Sequence, residues 1–180
     1  MLIAQKKRKE NIAEYILYMW QLEDLLRANE LDPGKVEKGL LKQFQTSDEQ
    51  TKEIRDWYKG LIDMMKEEHI KGKGHLQVVT NLVNDLYDLH LRLLKSPEEL
   101  KYIEKYNRAK PLIDELVQKT KGDVSHEIEA CFNGLYGLLL LRLKGHEVSD
   151  STQQAMQQIS ELIALLSKRY HEVERGELEI

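Results

Sequence analysis

Residues Ile128–Leu143, IEACFNGLYGLLLLRL, decide the fold class of this chain. Charge enters only at Glu129 and Arg142, near the two ends, so a helix through this run is apolar on nearly every side. Such a helix is enclosed all round, by a protein core or by lipid. A membrane span takes about 20 mostly apolar residues; this run falls short and ends in charge, which selects a protein core. Gly134 and Gly137 each cost roughly 1 kcal/mol of helix propensity relative to Ala. With Ala130 one turn before Gly134, they form a small-residue patch where a neighbouring helix can approach closely. The stretch is therefore expected to be the central helix, about 128–143, of an all-α protein.

The flanking segments supply its neighbours. Ile3 to Asn29 reads as a first helix with two adjoining apolar stripes, stopped by Asp32-Pro33-Gly34. A short helix from Pro33 to about Phe44 follows, with Pro33 in its first turn. Ser47 or Asp48 caps the next helix, which carries Ile54, Trp57, Tyr58, Leu61, Ile62 and Met65 on one face and ends at Lys71-Gly72-Lys73-Gly74. His75 to Lys95 has an apolar set of Val79, Leu82, Val83, Leu86, Leu89, His90 and Leu93. Its wet side is Asn81, Asn84, Asp85, Asp88 and Arg92. Ser96-Pro97-Glu98-Glu99 reads as a capping box opening a helix that Pro111 kinks. Asp123 or Ser125 starts the central helix, and Ser151 with Gln154 caps the last one. In that last helix, Ile159, Ile163, Leu166 and Tyr170 recur at coiled-coil spacing, a seam that closes on the protein's own bundle or on a partner. No stretch alternates with period two, so the expectation is a single antiparallel bundle of six to seven helices spanning 1–180.

The composition narrows the function classes. A chain of 180 residues with net charge −4 and a pI near 5.9 is not built around a general basic surface for nucleic acid. Lys6-Lys7-Arg8-Lys9 is a small basic cluster, best read as a solvated first turn. Glu14 interrupts the apolar run behind it, which argues against a signal peptide and for a cytoplasmic protein. The one cysteine, Cys131, lies in the apolar helix and is expected to be an inert thiol.

Catalytic patterns are sparse. A carboxylate-bridged metal bundle needs Glu-x-x-His pairs on two helices, and the chain has none; no metal or other cofactor is expected. Lys71-Gly72-Lys73-Gly74-His75 lacks the spacing and preceding strand of a phosphate loop. The serines read as caps, so no nucleophilic triad emerges. Three polar residues stand out instead on apolar stripes: Glu23, His90 and Arg142. Buried polar groups need partners, so His90 is expected to be a satisfied structural histidine, with Glu23 and Arg142 as rim charges that reach solvent along their own stems; the alternative is an internal cluster of the three in which Glu23 pairs with Arg142.

The run Lys7-Arg8-Lys9-Glu10-Asn11-Ile12-Ala13-Glu14-Tyr15, continuing through Leu17–Asp24, together with Lys110-Pro111-Leu112 and Glu127–Gly145, resembles a family of uncharacterised all-helical proteins of about this length from Bacteroidetes bacteria. The likeness covers essentially the whole chain. It implies one all-helical cytoplasmic domain and transfers no functional residue. The expectation is thus a non-enzymatic module acting through protein–protein contacts or as a homodimer, without nucleic acid or membrane. The alternative is a small-molecule binder or enzyme with a pocket between helices near Trp20 and His90.

Overall fold

The computed structural model describes residues 2–40, 48–120 and 122–180, and among these it is all-helical, without a strand. The helices are α1 (Leu2–Glu10), α2 (Ile12–Ala28), α3 (Pro33–Leu40), α4 (Asp48–Glu67), α5 (Gln77–Lys95), α6 (Leu100–Lys119), α7 (Glu127–Leu143) and α8 (Asp150–Glu174). No helix among the described residues is long and apolar enough to cross a membrane. The chain divides into two compact units. One comprises Met1–Glu10 and Glu14–Asn81; the other comprises Asn11–Ala13 and Leu82–Ile180.

In the first unit, the core draws on Ile16, Met19, Trp20, Leu22 and Leu26 of α2, Val36 of α3, and Tyr58, Leu61, Ile62 and Met65 of α4, all buried. Asp32 caps α3 by accepting the Lys35 N–H at 2.8 Å, with Pro33 in the first turn as its fixed φ favours. The Phe44 end expected for α3, and the Ser47 cap for α4, fall outside the described residues. Glycine does not end α2 or α4. Glu30 and His69 take the left-handed position (φ 57° and 58°), and Leu31 and Ile70 donate back five residues to Leu26 and Met65. α2 thus ends within one residue of the expected Asn29, whereas α4 ends at Glu67, ahead of the expected stop at the Gly72 turn.

In the second unit, Asn11 breaks what reads in the sequence as one long first helix. Its Oδ1 accepts the Ala13 N–H at 3.0 Å and the Ser167 hydroxyl at 2.8 Å, capping α2. All seven apolar-set residues of α5 are buried, and its five wet-side residues are exposed. The expected capping box at Ser96–Glu99 does not form. α6 begins at Leu100, and the Glu99 side chain, 5% exposed, accepts from Arg169 Nε at 3.0 Å instead of from backbone. A partly buried guanidinium is the stronger competitor, because both partners of that bond are ionised, whereas a backbone N–H brings no charge of its own. Pro111 sits within one continuous α6, on its exposed side. α7 is capped by neither Asp123 nor Ser125 but by His126, whose Nδ1 accepts the Glu129 N–H at 3.1 Å. Ser149 rather than Ser151 caps α8.

Side-chain pairs give the sense of packing. Glu99 meets Arg169, and Lys105 meets Glu161 at 2.7 Å, so α6 and α8 are antiparallel. Tyr106 reaches Glu127, while Leu116 lies against Gly134, so α6 and α7 run in the same sense. A Cβ on Gly134 would sit 2.9 Å from Leu116 Cδ1 and 3.2 Å from Met156 Cε. The close approach expected at this small residue is therefore present, and it joins α7 to both α6 and α8. Three residues past Leu116, α6 ends, whereas α7 runs on to Leu143.

Candidate functional site

Polar groups inside the second unit converge at the start of α7. His90 is 0% exposed on the apolar face of α5, and Tyr102 on α6 is equally buried. The Tyr102 hydroxyl lies 2.7 Å from His90 Nδ1, and Glu127 Oε1 lies 3.2 Å from His90 Nε2. Tyr106, one turn after Tyr102, donates to the same carboxylate at 3.0 Å. A carboxylate only accepts, so Nε2–H donates to Glu127 and Nδ1 accepts from Tyr102. Every polar atom of the chain Tyr102–His90–Glu127–Tyr106 is then satisfied. The hydrogen bond from His90, ahead of that from Tyr106, holds the Glu127 carboxyl below the usual range against the opposing effect of burial. Burial pushes both tyrosine hydroxyls up, and the Cys131 thiol up to about 12.

His126 borders this network. Since Nδ1 accepts the capping N–H, the ring proton sits on Nε2 and donates to Asn84 Oδ1 at 3.2 Å. Tyr87 stacks flat on it, 4.1 Å between centroids. Burial lowers the His126 pKa from its ordinary value, outweighing the nearby carboxylates.

The first unit holds a separate cluster. Glu23, 1% exposed, accepts from the Leu76 N–H at 3.0 Å and lies 2.6 Å from His75 Nδ1. His75 in turn stacks on Trp20 at 4.0 Å. Arg27 donates to the carbonyls of Ile70 and Gly74, pinning the glycine turn from both ends. Glu68 accepts the Gln77 N–H at 2.7 Å. Two of the protein's own carboxylates thus serve the start of α5, where a phosphate would need the same N–H groups.

Each of the three polar residues singled out in the sequence is accounted for within its own unit. Glu23 gives both oxygens to His75 and Leu76, His90 gives both nitrogens to Tyr102 and Glu127, and Arg142 is exposed. Of the seam residues, Ile159, Ile163 and Leu166 are buried within the single chain at 3% exposure or less, and Tyr170 is half-buried. Trp20 and His90, the residues around which a pocket was expected, are each exposed by 2% or less. A cavity beside Val36, Tyr58 and Ile62 measures about 10 Å³, room for one water. No group of three potential metal ligands occurs among the described residues.

What stands open is part of the helix expected to be central. Ile128, Ala130, Cys131 and Phe132 are buried, but none of the ten residues Gly134–Leu143 is. Helical periodicity puts Leu135, Leu138 and Leu139 on the same side as Cys131 and Phe132, and even these are only half-buried. Leu141 is 42% exposed and Leu143 65%. The cause lies in register: α7 outruns α6, so its last turns lose one of the two helices that meet Gly134.

The chain belongs to a family of unknown function, DUF4924, whose model matches residues 1–177. No curated protein and no solved structure matches it.

Proposed function

We propose that this DUF4924 protein works by protein–protein contact, through the C-terminal half of α7. One observation carries the reading: seven of the ten residues Gly134–Leu143 are Leu or Tyr, five of them half-buried and the last two, Leu141 and Leu143, exposed. Contiguous exposed apolar surface marks interaction sites, whereas scattered single residues do not. A surface helix normally turns a polar face to water; here only Arg142 is charged. The partner surface is protein rather than nucleic acid or lipid, because the face has no basic stripe. The reading includes a bacterial, cytoplasmic setting, which a lone reduced thiol at Cys131 fits. The buried networks around His90 and Glu23 act as supports that fix helix ends.

The test is a photoreactive phenylalanine derivative in place of Leu141, irradiated in cells of the native host. Specific crosslinks to protein are the expected result, together with their absence when the same group replaces exposed Gln158 on α8. Equal labelling from both positions, or none from Leu141, removes the reading.

A further inference from the structure

We propose that His75 is a phosphoryl acceptor, whose Nε2 takes a phosphoryl group from a donor of the phosphoramidate class, such as a phosphohistidine on another protein. The residue belongs to the first compact unit, and nothing about it depends on the α7 face. A carboxylate only accepts, so the 2.6 Å contact between Glu23 Oε2 and His75 Nδ1 puts the ring proton on Nδ1 and the lone pair on Nε2. Glu23 is 1% exposed and its other oxygen accepts the Leu76 N–H, so the carboxylate is fixed in place. Trp20 stacks on the ring at 4.0 Å and 12°, which sets its tilt. Nε2 has no partner among the described residues and is not enclosed. The side chain, 28% exposed, presents that edge to water. A buried carboxylate, a held ring and an open nitrogen are the parts of an activated imidazole nucleophile.

The surroundings select the group transferred. An acyl group needs N–H donors for its oxyanion, and the Leu76 and Gln77 N–H groups are already taken by Glu23 and Glu68. A phosphoryl group spreads its charge over three oxygens and gains from nearby cations. Lys71 and Lys73, exposed in the turn that leads into His75, have no ion-pair partner among the described residues. The acids tied into this turn, Asp24 and Glu68, are engaged by Arg27 and by the Gln77 N–H. In the transfer, the Nε2 lone pair bonds to phosphorus while the donor's P–N bond breaks and its electron pair leaves on the donor nitrogen. The ring keeps its Nδ1 proton, and the positive charge it gains lies against Glu23.

The experiment treats the full chain with phosphoramidate, whose nitrogen leaves as ammonia, and follows phosphate at each histidine by peptide mapping in alkaline solution and by phosphorus NMR. His69 and His146 are more exposed than His75 and carry no carboxylate on the ring among the described residues. Access alone therefore ranks both ahead of it. His75 is expected instead to react faster than either by roughly tenfold or more, and on Nε2. Glu23→Gln, which keeps an acceptor for the Leu76 N–H, is expected to bring His75 down to the rate of the other two, with circular dichroism confirming that it folds. If that variant does not fold, the ranking within the wild type decides. A His75 no faster than His69 and His146, phosphate on Nδ1, or an unchanged rate in folded Glu23→Gln each overturns the proposal.

Discussion

The two halves of α7 have the same apolar texture and opposite fates. From Glu127 to Phe132 the helix is held by a cap at His126, a carboxylate tied to His90 and Tyr106, and a buried Cys131 and Phe132. From Gly134 to Leu143 the apolar content is at least as high and no residue is buried. Hydrophobicity alone therefore does not locate a core. Location follows from which neighbours extend alongside, and α6 stops before α7 does.

Truncation should show the contrast most strongly. Phe132→Ala removes a fully buried ring and should cost about 3–5 kcal/mol, whereas Leu141→Ala should stay within about 0.5 kcal/mol. Chemical denaturation of both variants measures the gap, and equal losses would place the end of α7 in the core after all. Next comes the network holding the first half. Tyr102→Phe leaves His90 Nδ1 buried without its donor, at a cost of about 1–3 kcal/mol. The hydrogen-exchange protection it removes should concentrate near Glu127, not near Leu141.

Glycine substitution should separate the halves more finely. Gly137→Ala meets open space and should stabilise by up to roughly 1 kcal/mol. Gly134→Ala displaces Leu116 and Met156 and should gain less or lose outright, as thermal melts would show. Titration gives the smallest effect. His126 and Glu127 both have lowered values in the folded protein, so in each case the unfolded chain binds the proton more tightly. Stability contributed by His126 is present above its unfolded value near 6.5 and falls as pH drops below it; that of Glu127 falls below about 4.3. His126→Asn keeps a capping acceptor and should flatten the first decline, read as melting temperature against pH.

The fold was legible wherever periodicity and burial are the same statement, as along α5, where every apolar-stripe and wet-side residue lies as its spacing implies. Asp32-Pro33 likewise carried its own local mechanism. Asn11 with Glu14 three residues on has the form of a helix start, a signal hidden by the apolar stripes running through it. The Ser96–Glu99 box had equal local credentials and lost them to Arg169, some seventy residues away in sequence. His90 could be singled out because a histidine among leucines needs partners. Glu127, Tyr102 and Tyr106 could not be named as those partners, since each also reads as an ordinary first-turn acid or core aromatic. The open end of α7 is the same kind of case: it depends on how far α6 reaches, which no window of sequence contains.

Cys131 has a use in kinetic terms. Its thiol is fully buried and raised to about 12, one turn from Glu127, so a thiol reagent can reach it only during an opening of the second unit. When reclosing is fast, the labelling rate is the intrinsic thiol rate multiplied by the fraction of time the unit is open. The chain thus carries a single-site clock at the base of α7, which counts openings there without any introduced probe.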